Sequence, residues 1–488
     1  MGKWRKPRRF ERNLVVIGAG AGGLVTAYLA AALKAKVTLV EKHRMGGDCL
    51  NTGCVPSKAL IRSARLLAQM ARAGEFGIRE ARAEFDFAEV MARVQRTVQA
   101  IEPHDSIARY SALGVEVIEG AAKILTPWEV EIARKDGARQ TLTTRSIVVA
   151  AGARPVVPAI PGLDEVGYLT SDTVWNLGEL PGRFLILGGG AIGCELAQAF
   201  ARFGSKVLLV QQGPRLLPRE DAEVSELVTE QFRAEGIEVL AGCEAKSFLV
   251  ENGEKTLRAA HAGSEVKIPF DAVLLAAGRA ANLAGYGLEE LGVKTARTIE
   301  TNAFLQTNYP NIYAVGDVAG PLQFTHSAAH QGWHAAVNAL FDPVWKFKAD
   351  CPVIPWVSFT DPEVARVGLS EEEAQAQNIA YEASRYDLAE LDRAIVDGAT
   401  QGFVKVLTAP RTDRILGVTL VGERAGELIA EYALAMRHGL GLNKILGTLH
   451  AYPTFAEANR HAAGIWKQAH KPEMLLRWLE RFHAWRRG

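Results

Sequence analysis

Two stretches of the chain show the same order of apolar and polar positions. Residues 14–18 read LVVIG, an unbroken apolar run ending in glycine; an Ala-rich helical pattern follows, and then VTLV, which ends at Glu41. Residues 184–188 read FLILG, another helical pattern follows, and VLLV ends at Gln211. Short apolar runs bounded by glycine and alternating with helical patterns predict buried parallel strands in strand–helix–strand units. Gly18 to Glu41 spans 23 positions, and so does Gly188 to Gln211, so a whole supersecondary unit is repeated.

The apolar period through Phe87, Val90, Met91, Val94 and Val98 predicts helices across 60–112. Strands are expected at 115–124, 129–135 and 146–155, with Ala151-Gly152 at the end of the last. The segment RPVVPAIPG at 154–162 reads as a crossing between domains. AVLLAAG at 272–278, which ends in Gly278, and the short YAVGD at 313–317 are further strands. From Cys351 the texture changes to antiparallel strands, and helices are expected from Gly426. The tail EMLLRWLERFHAWRRG is an amphipathic basic helix, expected to pack on the protein or a partner subunit rather than on a membrane.

Composition narrows the class. Hydrophobic residues make up 48% and charged residues 23% of 488, which suits a large globular chain of about three domains. The net charge of +1 gives no global field for nucleic acid. Residues 14–33 hold no charge and follow a basic segment, as a membrane span or signal would. Gly18, Gly20, Gly22 and Gly23 within the run, and the strand after it, fit a strand–turn–helix unit better. The expectation is therefore a cytoplasmic protein.

Each repeated unit carries G-x-G-x-x-G between strand and helix, at Gly18, Gly20 and Gly23 and again at Gly188, Gly190 and Gly193. In that context the motif allows a tight turn and a close approach of backbone to a pyrophosphate, and an acid at the end of the second strand suits a ribose. Two dinucleotides are thus implied, with Gln211 standing where the first unit has Glu41.

Between the units lies GGDCLNTGCVPSK, residues 46–58, with Cys49 and Cys54 five positions apart and a helical run behind them. Cys54 falls at a helix N-terminus, where partial positive charge favours a thiolate, and Pro56 suits the first turn. Zinc sites need four ligands at closer spacing, and Cys194, Cys243 and Cys351 stand alone; no metal-ligand set is expected. Two core cysteines or a redox disulfide remain open on the residues alone.

The two fingerprints, the C-x4-C between them, YAVGD and the antiparallel C-terminal part together resemble the FAD-dependent pyridine nucleotide–disulfide oxidoreductases, over residues 14 to about 465. The segments at 354–369 and 323–332 are closest to its mercuric-reductase-like branch. The resemblance implies an α/β fold with two Rossmann-type dinucleotide-binding domains and a C-terminal α+β interface (dimerisation) domain. Its expected boundaries are 1–160 and 284–350 for FAD, 161–283 for NAD(P), 351–468 for the interface and 469–488 for the tail.

The roles it implies are these. Cys49 and Cys54 form the redox disulfide, which takes electrons passed from NAD(P)H through FAD, with Cys49 the exchanging sulfur. Lys58 lies at the flavin and Glu195 pairs with it at the nicotinamide. FAD is held by the first fingerprint with Glu41 and Lys42, by Gly46 and Gly47, by Gly120, Ala151 and Gly152, by Asp317, and by Gln323, Phe324, Thr325 and His326. The nicotinamide cofactor is held by the second fingerprint with Ile192, Gln211 and Gly278.

The chain also departs from the family pattern. Where disulfide-handling members carry His-Pro from the partner subunit, with Glu five residues on, this chain has Tyr452-Pro453 and Glu457. Mercuric reductase likewise has a tyrosine there, but it has a further cysteine pair near its C-terminus, and this chain has no cysteine after Cys351. His450 is a candidate to replace the missing base. The expected activity is mercuric-reductase-like reduction by a homodimer with a shared site. The alternatives are a dihydrolipoamide-dehydrogenase-like enzyme and a non-thiol flavin electron-transfer subunit. The acceptor is a small molecule, a metal ion or a protein disulfide.

Overall fold

The computed structural model describes residues 4–320, 322–349 and 353–488, so Cys351 and the expected boundary beside it lie outside the described residues. The chain forms two compact units. One takes residues up to 71, 81–212 and 242–350; the other takes 72–80, 213–241 and 351–488.

In the first unit the strand Arg12–Ile17 pairs in parallel with Val37–Glu41 on one side and Arg139–Val149 on the other. Ile312–Ala314 and Glu116–Thr126 extend this sheet, also in parallel. Leu14, Val15 and Val16 are wholly buried because both faces of the sheet are covered: Leu14 and Val16 share a core with the helix residues Ala27 and Ala335, and Val15 shares one with Val130, Ile132 and Leu142; each contributes on the order of 1.5–3 kcal/mol. The strand Glu129–Arg134 joins Glu116–Thr126 to Arg139–Val149 as an antiparallel meander.

The second repeated unit rebuilds this design. Lys206–Gln211, Arg183–Leu187, Ala272–Leu275 and Leu169–Thr170 run parallel in that order. The Pro-rich crossing and its return run side by side, Ala153–Pro155 antiparallel to Arg279–Ala281. Three antiparallel strands, Cys243–Glu251, Glu254–His261 and Ser264–Phe270, form a separate meander that the sequence reading did not name.

Helices were expected throughout 60–112, but residues 81–86 carry no regular structure. They lack an apolar period, and Asp86 ends them by capping the helix Phe87–Ile101, accepting a hydrogen bond from Ala88 N at 2.8 Å.

The second unit is built on a five-stranded antiparallel sheet, in the order Trp356–Ser358, Glu363–Gly368, Ile415–Gly422, Phe403–Thr408, Glu382–Asp387. The helices Ala425–Arg437 and Glu457–Ala469 cover it, and Val406, Val418, Tyr432 and Ala462 share their core. Asp221, Glu223 and Glu371 converge as metal ligands might, but Lys405 Nζ sits among them, 2.8 Å from Asp221. Burial alone would weaken the charge on Lys405; hydrogen bonds to the three carboxylates overcome it and hold the ammonium. The tail forms the helix Glu473–Arg487, of which no residue is buried.

Candidate active site

Cys49 lies on the short helix Gly47–Asn51, and Cys54 opens the helix Cys54–Ala71. Gly53 lets the two approach, since a Cβ there would come within 3.0 Å of Asp48 O. Both thiols are free, and Cys49 donates a hydrogen bond to Cys54. That bond pulls Cys54 down to about 6, helped against burial by the Thr325 hydroxyl, 3.5 Å away, and by the charge of Lys58. The same bond and burial push Cys49 far above the ordinary thiol range. The pair is thus split into a thiolate and a thiol, the division that disulfide exchange needs.

Lys58, one turn beyond Cys54, donates to Glu195 Oε2 at 2.8 Å. Glu195 is buried on the helix Ala191–Arg202, so this bond ties the cysteine helix to the second nucleotide unit.

The two fingerprint loops are superimposable in their torsions. Gly18 and Gly188 have φ of +101° and +115°, and the helix caps Gly20 and Gly190 sit at −79°, −176° and −77°, −178°. A side chain at Gly23 or Gly193 would run into the carbonyl of Gly18 or Gly188, which only glycine avoids. Glu41 accepts from Ala19 N at 2.7 Å, and Gln211 accepts from Gly189 N at 2.8 Å. One position therefore braces both loops, with a charge in the first and none in the second. Glu41 also accepts from His43 N, which leaves half of its roughly four lone-pair sites for a ribose. Arg215, close in sequence to Gln211, is occupied by Glu372 and by Glu220 O within the other unit.

Gly46 and Gly47 have positive φ, and Gly47 packs so close to Gly20 that a Cβ would clash. Lys42 and Ile192 are exposed. Ala151 O and Gly152 O both accept from Asn282. Gly278 has φ of +119° beside the returning strand. Gly120 sits in the meander opposite Arg134, where a side chain would meet Ala133 O; close strand packing accounts for it.

Asp317 lies in the turn Gly316–Val318, which Gln331 braces by accepting from Gly316 N at 2.7 Å. Gln323 and Phe324 lead into the helix Thr325–Phe341, and Phe324 stacks on His326 at 5.4 Å. The sequence reading missed a clamp: Arg279 bonds Asp48 beside Cys49, reaches Asp317 at 3.9 Å and donates to Ala153 O at 3.0 Å. Burial raises both acids, and the Arg279 charge opposes the rise. The signal was a lone arginine directly after the apolar strand and Gly278.

In the second unit Tyr452 is 71% exposed and donates its hydroxyl to Asp392 at 2.9 Å. That bond raises its pKa. Glu457 is buried and accepts from Thr454 N at 3.3 Å. His450 faces Thr448 O through Nδ1 and Glu431 through Nε2, both at 3.0 Å.

Residues 12–332 match the model of the pyridine nucleotide-disulphide oxidoreductases, and residues 354–463 match that family's dimerisation domain. The chain belongs to the pyridine nucleotide-disulphide oxidoreductase family. It is 35% identical to a dihydrolipoyl dehydrogenase of Chlamydia muridarum over 91% of this chain and 94% of that one. It is 34% identical to a mercuric reductase of Staphylococcus aureus over 93% of this chain and 82% of that one. Among solved structures, the Cu(II) complex of the HOCl-induced flavoprotein disulfide reductase RclA of Escherichia coli matches with a TM-score of 0.82 at 26% identity, covering 94% of this chain and 99% of that one.

The pyridine nucleotide-disulphide oxidoreductases use FAD and NAD(P)H, which supply hydride transfer when bound. This chain fits both: two helix N-termini without side-chain caps follow glycine turns, as two pyrophosphates require. The chain is accordingly an FAD-dependent NAD(P)-disulfide oxidoreductase. The dimerisation domain supports a homodimer. No helix among the described residues is long and apolar enough to cross a membrane.

Proposed function

We propose that this enzyme runs in the reducing direction, from NAD(P)H to the Cys49–Cys54 disulfide and on to an acceptor, in the manner of mercuric reductase. The observation that carries this reading is the Tyr452 hydroxyl donating to Asp392 where disulfide-handling relatives have a histidine base. Each turnover oxidises one NAD(P)H. It yields either two thiols from a disulfide, with one further proton taken up, or a metal ion reduced by two electrons, with one proton released.

In this reading the Cys54 thiolate faces the flavin and Cys49 attacks the acceptor. Lys58 and Glu195 position flavin and nicotinamide, Glu41 and Asp317 hold FAD, and residues 323–326 flank its ring. Residues 161–283 take the nicotinamide cofactor. Tyr452 of the partner subunit and Glu457 of the partner subunit complete the site, and the tail packs on that subunit. Five cysteines in 488 residues are too few, and odd in number, for a disulfide scaffold of the secreted kind, which favours the cytoplasm.

A dihydrolipoamide-dehydrogenase-like enzyme is the second reading; the identity to dihydrolipoyl dehydrogenases and the retained Glu457 support it. Initial rates with mercuric ion, lipoamide, glutathione disulfide and quinones as NAD(P)H-dependent acceptors separate the two. Mercuric ion is expected to lead. Lipoamide as the best acceptor, with equally fast reverse reaction, defeats the first reading, and quinone reduction that survives blocked thiols defeats both.

A neutral Gln211 neither pairs with a 2′-OH as an acid does nor repels a 2′-phosphate. NADH and NADPH are therefore both expected to serve. Steady-state kinetics with each decides it, and a preference of about a thousandfold contradicts the role given to Gln211.

A further inference from the structure

The two cysteines are joined by Leu50, Asn51, Thr52 and Gly53, and this loop is held from within and from outside. Within it, Asn51 Nδ2 donates to Met45 O at 2.9 Å and to Gly47 O at 2.8 Å, and Thr52 N donates to Asp48 O at 2.9 Å. From outside, Arg279 bonds Asp48, the residue before Cys49. The other side of Cys49 is met by Trp175, whose indole Nε1 donates to Thr52 O at 2.8 Å and to Ser171 O at 2.7 Å. Trp175 is buried in the short turn Val174–Asn176. The residues before it brace themselves: Thr170 N donates to Thr173 Oγ1 at 2.9 Å, and Asp172 N donates to Thr170 Oγ1 at 3.2 Å. Asp172 also accepts from Thr52 Oγ1 at 3.4 Å.

We propose that Trp175 is a positioning residue for the cysteine pair: its indole N–H pins the loop between the two sulfurs and so sets the reduction potential of their disulfide. The inference rests on the reading of Cys49 and Cys54 as the redox pair. An indole has one donor and no acceptor, so its single proton is shared between the two carbonyls and ties one segment to the other. Thr52 lies between the cysteines, so the restraint falls on both. Reduction adds two electrons and one proton, breaks the S–S bond, and leaves the Cys49 thiol beside the Cys54 thiolate. In the disulfide the covalent bond itself holds the loop; in the dithiol the loop depends on its hydrogen bonds and packing. Removing the indole N–H therefore frees the dithiol more than the disulfide. It lowers the effective concentration of one sulfur at the other and makes the disulfide easier to reduce.

The test equilibrates FAD-loaded protein without oxygen in buffers of reduced and oxidised dithiothreitol. Thiols are then trapped with N-ethylmaleimide, and Cys49 and Cys54 are scored by mass spectrometry. Trp175→Phe keeps an aromatic ring and removes the N–H. It is expected to shift the disulfide–dithiol equilibrium about tenfold toward the dithiol, which is about 30 mV for two electrons. Phe184→Leu, which removes buried bulk from the strand Arg183–Leu187, is expected to cost stability and leave that equilibrium unchanged. If Trp175→Phe fails to fold, benzothienylalanine introduced at position 175 keeps a bicyclic ring without the N–H and carries the test. An equal shift in Phe184→Leu overturns the inference. A wild type that gains no thiols at Cys49 and Cys54 with NAD(P)H overturns the redox reading and this inference with it. A wild type that gains both, beside a folded position-175 variant that keeps the wild-type equilibrium, overturns the inference alone.

Discussion

Cys54→Ser is expected to lower NAD(P)H-dependent acceptor reduction by at least about a thousandfold while FAD stays bound, and Cys49→Ser to do the same. Each variant removes one sulfur of a pair that works only as a pair, so no disulfide forms in either. The two variants part company in what remains. In the reduced wild type Cys54 is pulled down to about 6, below the ordinary thiol range, so the thiolate is the favoured form at neutral pH. Cys49→Ser weakens the hydrogen bond that most lowers Cys54, leaving Thr325 and Lys58 to hold the charge. The alkylation rate of Cys54 by iodoacetamide, followed by mass spectrometry against pH, should rise through about pH 6 in wild type. In Cys49→Ser the midpoint should move upward, and Lys58→Met should move it upward as well. A wild-type midpoint in the ordinary thiol range near 8.5 would show that the helix terminus and its neighbours do not split the pair.

The parts of this molecule that were legible in its sequence are those where one short segment sets its own geometry. The fingerprint loops are such a case: adding 170 to Gly18, Gly20, Gly23 and Glu41 gives Gly188, Gly190, Gly193 and Gln211, and the loop torsions repeat within a few degrees to 14°. The meander at 243–270 carried local signals too. Asn252-Gly253 and Ala262-Gly263 both have positive φ at two successive residues, as tight hairpins require, but the strands between them mix charges with apolar residues and give no clean period. Contacts between distant segments were not legible. Arg279 meets Asp48 across 231 positions, and Lys405 meets Asp221 across 184. No spacing rule reaches that far; the fold brings these charges together, and low local dielectric makes their pairing matter. His450 belongs here as well. In sequence it is a free candidate for a base, whereas the fold places Thr448 O at one ring nitrogen and Glu431 at the other, an arrangement that favours a packing role.

Tyr452→His is expected to raise dihydrolipoamide oxidation on the order of a hundredfold or more, the usual worth of a positioned general base. Oxidising a dithiol requires a group that accepts thiol protons near neutral pH, and an ordinary histidine titrates near 6.5 whereas a tyrosine titrates near 10. The bond from Tyr452 to Asp392 shifts the tyrosine further in the wrong direction, because the phenol donates to a carboxylate and loses that bond when it ionises. Wild-type enzyme therefore offers a proton at this position and does not accept one. Glu457 is buried five residues on, accepts a hydrogen bond from Thr454 N at 3.3 Å, and is placed to orient an imidazole at 452. Tyr452→Phe separates the hydroxyl from the ring: it should leave dihydrolipoamide oxidation low and reduce metal-ion reduction. The pH profile of Tyr452→His should gain a rising limb near 6.5 that wild type lacks, and Glu457→Gln in that background should blunt it. A wild type that already oxidises dihydrolipoamide as fast as Tyr452→His would show that position 452 does not set the direction of the reaction; His450→Gln, with its effect on the same pH profile, is then the variant that locates the base.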